Sequence, residues 1–163
     1  MSVAKVREYL AAYGVADRIQ EFDVSSATVE LAALAVGVEG ARIAKTLSFK
    51  VEEEPVLIVA AGDAKIDNSK YKHFFHAKAK MLTPDEAVER IGHAVGGVCP
   101  FALPADVKTY LDVSLRRFDT VFPAVGSAAS AIELSCDELQ ECCGANFAAW
   151  VDVCKGWQEE ANG

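Results

Sequence analysis

Short segments of helical and of extended hydrophobic periodicity alternate along the chain. Apolar residues recur at helical spacing from Val3 to Tyr13, whereas residues 45–51 alternate between apolar and polar, as in a half-buried strand. Residues 56–61 are apolar on both faces, which indicates a central strand. Further helices are predicted at 28–36, 68–75, 84–91, 114–118 and after 135, and further strands at 19–22, 80–82, 108–112, 121–125, 131–134 and 150–153. This interleaving predicts an α+β fold rather than a doubly wound parallel sheet.

Residues with capping preferences mark several helix starts. The segments 83–86 and 135–138 place a Thr or Ser three residues before a Glu, which is the pattern of a capping box. Ser25-Ser26 is predicted to cap the helix over 28–36, and Gly37 is predicted to end it. Residues 52–55 are predicted to form the turn of a hairpin between the two strongest strands.

Lys45 falls on the apolar face of its predicted strand. That face also carries Leu47, Phe49 and Val51, while Thr46, Ser48 and Lys50 lie on the other. An ammonium group that points toward a core is costly unless it opens into a pocket or meets a partner. Alternatively, the strand begins at this position and the lysine reaches solvent past the edge of the sheet.

A loop rich in glycine and proline follows later in the chain, at residues 96–104. The Gly96-Gly97 pair can adopt positive φ angles and expose its N–H groups to a ligand. An ordinary turn is the alternative interpretation of such a pair.

In this order and at this separation, the two features resemble the YbaK/prolyl-tRNA synthetase-associated domain family, whose members hydrolyse mischarged aminoacyl-tRNA in cis or in trans. The resemblance is collinear from Ser25 to Val153. The segments that carry it are Arg42-Ile43-Ala44-Lys45-Thr46-Leu47, Val56 to Ala61 with Gly62-Asp63, Gly96-Gly97-Val98-Cys99-Pro100, Tyr110-Leu111-Asp112, Gly126-Ser127 and Ala131-Ile132-Glu133-Leu134. It implies a single editing domain over residues 1–163, with a curved, mixed, largely antiparallel sheet wrapped by short helices and a pocket at one mouth.

The resemblance also implies a set of site residues. Lys45, Gly96 and Gly97 are the expected catalytic residues, with the backbone N–H groups of Gly96, Gly97 and Val98 as an oxyanion hole. Lys45 would hold the phosphate of the terminal adenosine or the reacting carbonyl. The residues expected to bind substrate are Thr46, Val98, Cys99, Pro100, Gly126 and Ser127.

The expected substrate is a small amino acid, Cys, Ala, Ser or Thr, attached to tRNA(Pro). Two departures from the family pattern bear on it. Ala102 stands where relatives often carry a third glycine, which is expected to narrow the pocket. The segment Ser127-Ala128-Ala129 is less polar than in many relatives, so fewer groups could recognise a polar side chain.

Composition agrees with a globular protein inside the cell. The 163 residues and the hydrophobic fraction of 52% suit one domain with a substantial core. No apolar run approaches the roughly 18 residues of a membrane span, and the N-terminus predicts no signal peptide, so a cytoplasmic protein without a membrane partner is expected. The five cysteines form no Cys-x-x-Cys pair, which favours a reducing compartment and argues against a metal site. No cofactor is expected.

The net charge of −8 is the reverse of what a free-standing nucleic-acid binder shows, and it argues against DNA as a partner. A local exception spans residues 65–80 and contains Lys65, Lys70, Lys72, Lys78 and Lys80. It is either a solvated helix face or a docking patch for an RNA acceptor end. The expected partners are therefore mischarged aminoacyl-tRNA and, as a candidate, prolyl-tRNA synthetase.

Two other functions remain open from the residues. Cys99 follows His93 by six positions, so the pair could form a thiolate nucleophile and an imidazole base, although no third orienting residue is evident. Alternatively, the chain is a module that binds aminoacyl-tRNA or a synthetase without hydrolysis.

Overall fold

A computed structural model of the chain describes residues 3–23, 28–94 and 96–157. Its α-helices are α1 (Val3–Ala11), α2 (Val29–Val36), α3 (Asn68–Phe75), α4 (Pro84–Ile91) and α5 (Cys136–Cys143). Its strands are β1 (Gln20–Glu21), β2 (Ile43–Val51), β3 (Glu54–Ala61), β4 (Lys65–Ile66), β5 (Lys108–Asp112), β6 (Phe122–Pro123), β7 (Ser130–Ala131), β8 (Phe147–Val151) and β9 (Cys154–Lys155). Short 3₁₀ helices span Ala16–Arg18, Gly40–Arg42, Val113–Arg117 and Gly144–Asn146.

A curled five-stranded sheet with the order β6-β2-β3-β5-β8 forms the centre of the fold. The predicted α+β class with a curved, mixed sheet is confirmed. Parallel pairing is nevertheless more extensive than the expected largely antiparallel arrangement, because three of the four pairings in this sheet are parallel and only β2 and β3 are antiparallel. The reason is that helical crossovers join β3 to β5 and β5 to β8, and such connections return the chain in the same direction.

The β2–β3 hairpin places Lys45 at the end of the sheet remote from the turn, where it pairs with Ala60. The turn itself is Glu52-Glu53, whose φ angles of 50° and 69° match the type I′ geometry of two-residue hairpins. The predicted turn was too long, since strand β3 already begins at Glu54. The rest of β3 is buried, as predicted for a central strand.

Helix α2 packs on the sheet through a small apolar cluster of its own. Ala33 contacts Ile43 and Phe122 there, apart from the main core. Leu31 and Leu34, on the same helix, are 48% and 78% exposed. Helix α2 therefore covers one end of β2 without joining the main core.

The caps confirm most of the predicted helix starts. Thr83 and Ser135 each complete a capping box with the glutamate three residues later. Helix α2 is capped by Thr28, whose hydroxyl accepts an N–H of the first turn, and it ends at Gly37 as predicted. The predicted caps Ser25 and Ser26 lie outside the described residues.

The predicted pairing of the strands after residue 120 is present in part. A pairing between 121–125 and 131–134 exists only as a bridge from Val121 to Leu134 and a bond from the Ile132 N–H to Pro123 O. Most of this segment serves other partners, because β6 extends the main sheet beside β2 and β7 pairs with β1. The final predicted strand is shifted, since β8 ends at Val151 and Cys154 opens a separate strand.

Candidate functional site

A cavity of about 280 Å³ lies where β2 begins, between helix α2 and two loops. Five of the nine residues predicted for the catalytic and substrate-binding site line it: Lys45, Thr46, Gly96, Val98 and Ser127. The other four, Gly97, Cys99, Pro100 and Gly126, are buried in the two loops. The structure thus brings the predicted segments together, although not every residue in them faces the cavity.

Lys45 is half-buried in the cavity wall and its ammonium has partners. Nζ donates to Gly62 O at 3.4 Å and, at closer range, to Ala64 O. Burial lowers the pKa of Lys45 below its ordinary value, and the nearby Cys154 and Asp63 partly offset that effect. The ammonium of Lys45 therefore meets hydrogen-bond acceptors, which offsets the cost of a lysine on an apolar strand face.

Thr46 lines the cavity beside Lys45, although strand alternation places the two side chains on opposite faces. Both reach it because helix α2 and the loops enclose the beginning of β2 from more than one side. Within the described part of the chain, the buried hydroxyl of Thr46 has no hydrogen-bond partner. Thr46 therefore lines the cavity as a residue, while its hydroxyl oxygen is itself buried.

The Gly96-Gly97 loop forms the opposite wall. Gly96 has φ +94°, a conformation that favours glycine. The N–H of Gly97 donates to Ala94 O at 2.9 Å, so the expectation that all three loop amides face a ligand is wrong. The amides of Gly96 and Val98 remain the expected donors to an oxyanion.

The loops that carry Gly96-Gly97 and Gly126-Ser127 touch each other through their backbones. A Cβ atom on Gly97 would lie 2.8 Å from Gly126 O and 2.9 Å from Ser127 Cα. The second loop is fixed internally, because Ser127 Oγ accepts the Ala129 N–H at 3.1 Å. Ser130 Oγ also donates to Ser127 O at 3.0 Å. Together the loops make one continuous wall.

Cys99 and His93 are adjacent but unsuited to thiol catalysis. Both are fully buried, and Cys99 Sγ lies 3.6 Å from His93 Nε2. The same Nε2 is 2.9 Å from Phe101 O, and because a carbonyl only accepts, Nε2 must carry a hydrogen and has no lone pair for the thiol. Burial raises the pKa of Cys99 to about 12 and lowers that of His93. A neutral thiol beside a neutral ring disfavours the thiol-hydrolase alternative.

Ala102 has no part in the cavity. It has φ +57°, an uncommon conformation for a residue with a side chain, and it lines a separate groove with Tyr9 and Leu103. The expectation that Ala102 narrows the substrate pocket is therefore wrong. The positive φ explains why glycine suits this position.

The lysine-rich segment divides into parts with different partners. Lys70 pairs with Asp152 at 3.1 Å and donates to Cys154 O at 3.0 Å. Lys65 lies opposite Lys155 in the β4–β9 pair, a juxtaposition of like charges that sequence reasoning missed because 90 positions separate them. The remaining lysines of the segment, Lys72, Lys78 and Lys80, are exposed.

The described residues form neither a cluster of metal ligands nor a helix that could cross a membrane. Within residues 3–23, 28–94 and 96–157, no group of three or more His, Cys, Asp and Glu side chains could hold a metal ion. No helix in these ranges is both long enough and apolar enough to cross a membrane.

Comparison with known proteins agrees with this geometry. Residues 23–142 match the model of the aminoacyl-tRNA editing domain. The uncharacterised protein YwhH of Bacillus subtilis is 53% identical over 160 residues, which cover 97% of this chain and 100% of that one. The proline–tRNA ligase of Lysinibacillus sphaericus is 33% identical over 90 residues, 55% of this chain but only 16% of the ligase.

A solved structure of a proposed trans-editing enzyme for prolyl-tRNA synthetase superposes with a TM-score of 0.83 at 29% identity, covering 94% of this chain and 97% of the other. The family-model match spans most of the chain, and the structural likeness extends to nearly all of it. The chain therefore belongs to the aminoacyl-tRNA editing domain family, as the resemblance of its ordered motifs predicted.

Proposed function

We propose that the protein is an aminoacyl-tRNA deacylase that acts in trans and removes a small mischarged amino acid, Cys, Ala, Ser or Thr, from tRNA(Pro). The observation that carries the proposal is the convergence on one cavity of four residues of the expected site, Lys45, Thr46, Gly96 and Val98. The structural relative proposed to edit for prolyl-tRNA synthetase supports the choice of tRNA and of action in trans.

The size of the cavity supports a small substrate. Ligand pockets commonly hold roughly 300–1,000 Å³, so the cavity of about 280 Å³ lies at the small end. Its lining is mostly apolar, with Val29, Ala32 and Leu47 among the walls. A short side chain fits such a site, whereas a bulky one would have to displace helix α2 or a loop.

Hydrolysis of the aminoacyl ester requires few catalytic side chains. A water oxygen bonds to the ester carbonyl carbon while negative charge develops on the carbonyl oxygen. The bond to the ribose oxygen then breaks, and the proton that the water gives up passes to that oxygen, so that the amino acid and tRNA are released. In this proposal the N–H groups of Gly96 and Val98 donate to the developing oxyanion. The cavity holds the ester and the water together, which supplies the proximity that hydrolysis needs.

Lys45 has two possible roles in this scheme, and kinetics separates them. If its ammonium stabilises the reacting carbonyl, removing the charge lowers kcat and leaves KM nearly unchanged. If it binds the terminal phosphate, the loss is mainly in KM.

The charge distribution supports weak binding to free tRNA. Against the net charge of −8, the Lys65–Lys155 pair presents two exposed cations next to the turn that holds Lys45. Two to four phosphate contacts would give only a shallow salt dependence. We therefore propose that tRNA selection comes from a partner such as prolyl-tRNA synthetase.

The test is a deacylation assay with the purified protein. Ala-, Cys-, Ser- and Thr-tRNA(Pro) are compared with correctly charged Pro-tRNA(Pro), each corrected for spontaneous hydrolysis. We expect accelerated release from at least one of the four mischarged substrates and none from Pro-tRNA(Pro). Binding of mischarged tRNA without acceleration of any release would overturn the proposal in favour of a non-catalytic binding module.

A further inference from the structure

The turn Gly62-Asp63-Ala64, which follows β3, holds the ammonium of Lys45. Two of its carbonyls, Gly62 O and Ala64 O, accept from Nζ. The turn is closed by a hydrogen bond from the Ala64 N–H to Ala61 O at 3.0 Å. The position of the ammonium therefore depends on how firmly this turn is held.

Arg117 binds Asp63, the middle residue of the turn, from outside the cavity. Its Nη2 and Nη1 donate to Asp63 Oδ1 at 2.5 Å and Oδ2 at 3.0 Å, a two-point contact between planar groups. Its Nε donates to Ser114 O at 2.9 Å, so three sides of the guanidinium are fixed. The two charged side chains are only 25% and 20% exposed, and the rings of Phe118 and Trp157 lie beside the guanidinium.

The anchor of Arg117 is itself rigid. Ser114 Oγ accepts the Ala61 N–H at 3.1 Å, directly at the end of β3. The fully buried Asp112 accepts the N–H of Ser114 at 2.9 Å and that of Val153 at 3.0 Å. A continuous set of hydrogen bonds thus runs from the buried end of β5 to the turn beside the cavity.

We propose that Asp63 and Arg117 are positioning residues for Lys45, with their ion pair fixing the turn whose carbonyls hold the ammonium at the cavity wall. The catalytic consequence rests on the proposed deacylase function, whereas the positioning itself does not. Neither residue lines the cavity, so neither is expected to touch substrate.

The charges around Lys45 indicate what Asp63 adds besides geometry. Burial lowers the pKa of Lys45, and the influences that raise it again come from Cys154 on β9, Asp63 in the turn and Glu30 on α2. Lys65 on β4 acts in the opposite sense. Loss of the Asp63 charge should therefore lower the pKa of Lys45 further, so that the ammonium loses its proton at a lower pH than in the wild type.

The experiment follows the ionisation of Lys45 directly, without substrate. Lysine Cε resonances of ¹³C-labelled protein are titrated by NMR, and Lys45→Met assigns the signal. We expect Asp63→Asn to lower the Lys45 midpoint by about half a pH unit or more. The matched control is Asp106→Asn, which removes the carboxylate of another Asp–Arg pair, and we expect it to leave the midpoint unchanged. An unchanged midpoint in Asp63→Asn, or an equal shift in both variants, overturns the proposal.

A second variant keeps the proposal testable if Asp63→Asn does not fold. Arg117→Lys retains the positive charge but not the two-point grip on Asp63. We expect the amide of Ala64 to exchange with solvent at least about threefold faster, because the turn opens more often. The amide of Val107, bonded to Pro104 O, is the internal reference. Unchanged exchange at Ala64 overturns the positioning role.

Kinetics then separates this inference from the proposed function. In Asp63→Asn, kcat/KM should fall about tenfold and its alkaline limb should move to lower pH, because Lys45 loses its proton sooner. A purely structural defect would lower the active fraction without moving the limb, and that result overturns the inference. If the wild-type protein showed no deacylation, the proposed function would be wrong. The NMR titration of Asp63→Asn would still test the positioning role independently.

Discussion

Replacing Gly97 with alanine tests the contact between the two loops of the cavity wall. A methyl carbon at this position would lie 2.8 Å from Gly126 O and 2.9 Å from both Gly126 C and Ser127 Cα. Carbon atoms pack best at about 3.5–4.0 Å, so the overlap with carbon is at least about 0.6 Å. All three contacted atoms belong to the backbone, and no side chain can rotate away to relieve the overlap. One loop must therefore move.

The expected cost follows from overpacking. Inserting a methyl group into a tight contact typically costs about 1–3 kcal/mol, and we take about 2 kcal/mol for three backbone contacts. In a domain of this size, each kcal/mol lowers Tm by about 2–4 °C, so we expect a drop of about 4–8 °C. Displacement of the loop by a fraction of an ångström should also lower kcat/KM for deacylation by about tenfold or more.

Gly14→Ala is the matched control. Gly14 has φ +75°, but a methyl group there would meet nothing within 4 Å, so only backbone strain of about 1 kcal/mol is added. Thermal unfolding and deacylation are measured for both variants. We expect both to be destabilised and only Gly97→Ala to lose activity. Wild-type Tm in Gly97→Ala would refute the packing argument, and equal loss of activity in both variants would refute the link to the site.

Three further predictions concern other parts of the molecule. Cys99→Ala should retain the wild-type rate of deacylation within about threefold. Iodoacetamide should label Cys99 only when the protein unfolds, because its thiol is buried and has a pKa raised to about 12. Labelling of Cys99 in the folded protein, or loss of turnover in Cys99→Ala, would favour the thiol-hydrolase alternative. A hydrogen bond to a lysine lowers the pKa of Glu86 to about 2, and one to an arginine does the same for Glu138, so their contribution to stability is present above their ordinary pKa of 4.5 and is lost as pH falls toward 2. The free energy of unfolding in urea should therefore depend less on acid pH in Glu86→Gln and Glu138→Gln than in the wild type, and identical pH curves would contradict this. When Lys65 and Lys155 are both replaced by Gln, the slope of log K for tRNA binding against log salt concentration should become shallower by about 1.5, since each phosphate contact contributes about 0.7–0.9 to it. An unchanged slope would mean that tRNA binds elsewhere on the protein.

Local sequence signals predicted the parts of the fold that depend on neighbouring residues. The capping boxes at Thr83 and Ser135 and the end of α2 at Gly37 each depend on a few adjacent positions, and the structure confirms them. The placement of β8 beside β5 depends instead on a crossover and on the registration of distant strands, which no local pattern specifies.

In the candidate site, too, the sequence predicted local features but not the contacts between distant residues. Alternation identified Lys45 as unusual, but its acceptors lie 17 and 19 positions away, and only the folded chain brings them to Nζ. The ion pair between Arg117 and Asp63 joins residues 54 positions apart and corresponds to no periodic pattern in the sequence. Thr46 lines the cavity together with Lys45, which alternation did not predict, because it does not show that a helix and two loops close over the beginning of β2.

Lys45 provides the most direct test of the central claim. Single-turnover hydrolysis of the mischarged tRNA that the wild type deacylates fastest is measured for Lys45→Met, with Lys108→Met, at an exposed lysine of β5, as the control. Circular dichroism establishes that both variants are folded. We predict that Lys45→Met lowers kcat/KM by about 100-fold or more, equivalent to about 3 kcal/mol of transition-state stabilisation, while Lys108→Met stays within about twofold of wild type. Turnover by folded Lys45→Met at close to the wild-type rate would contradict the account.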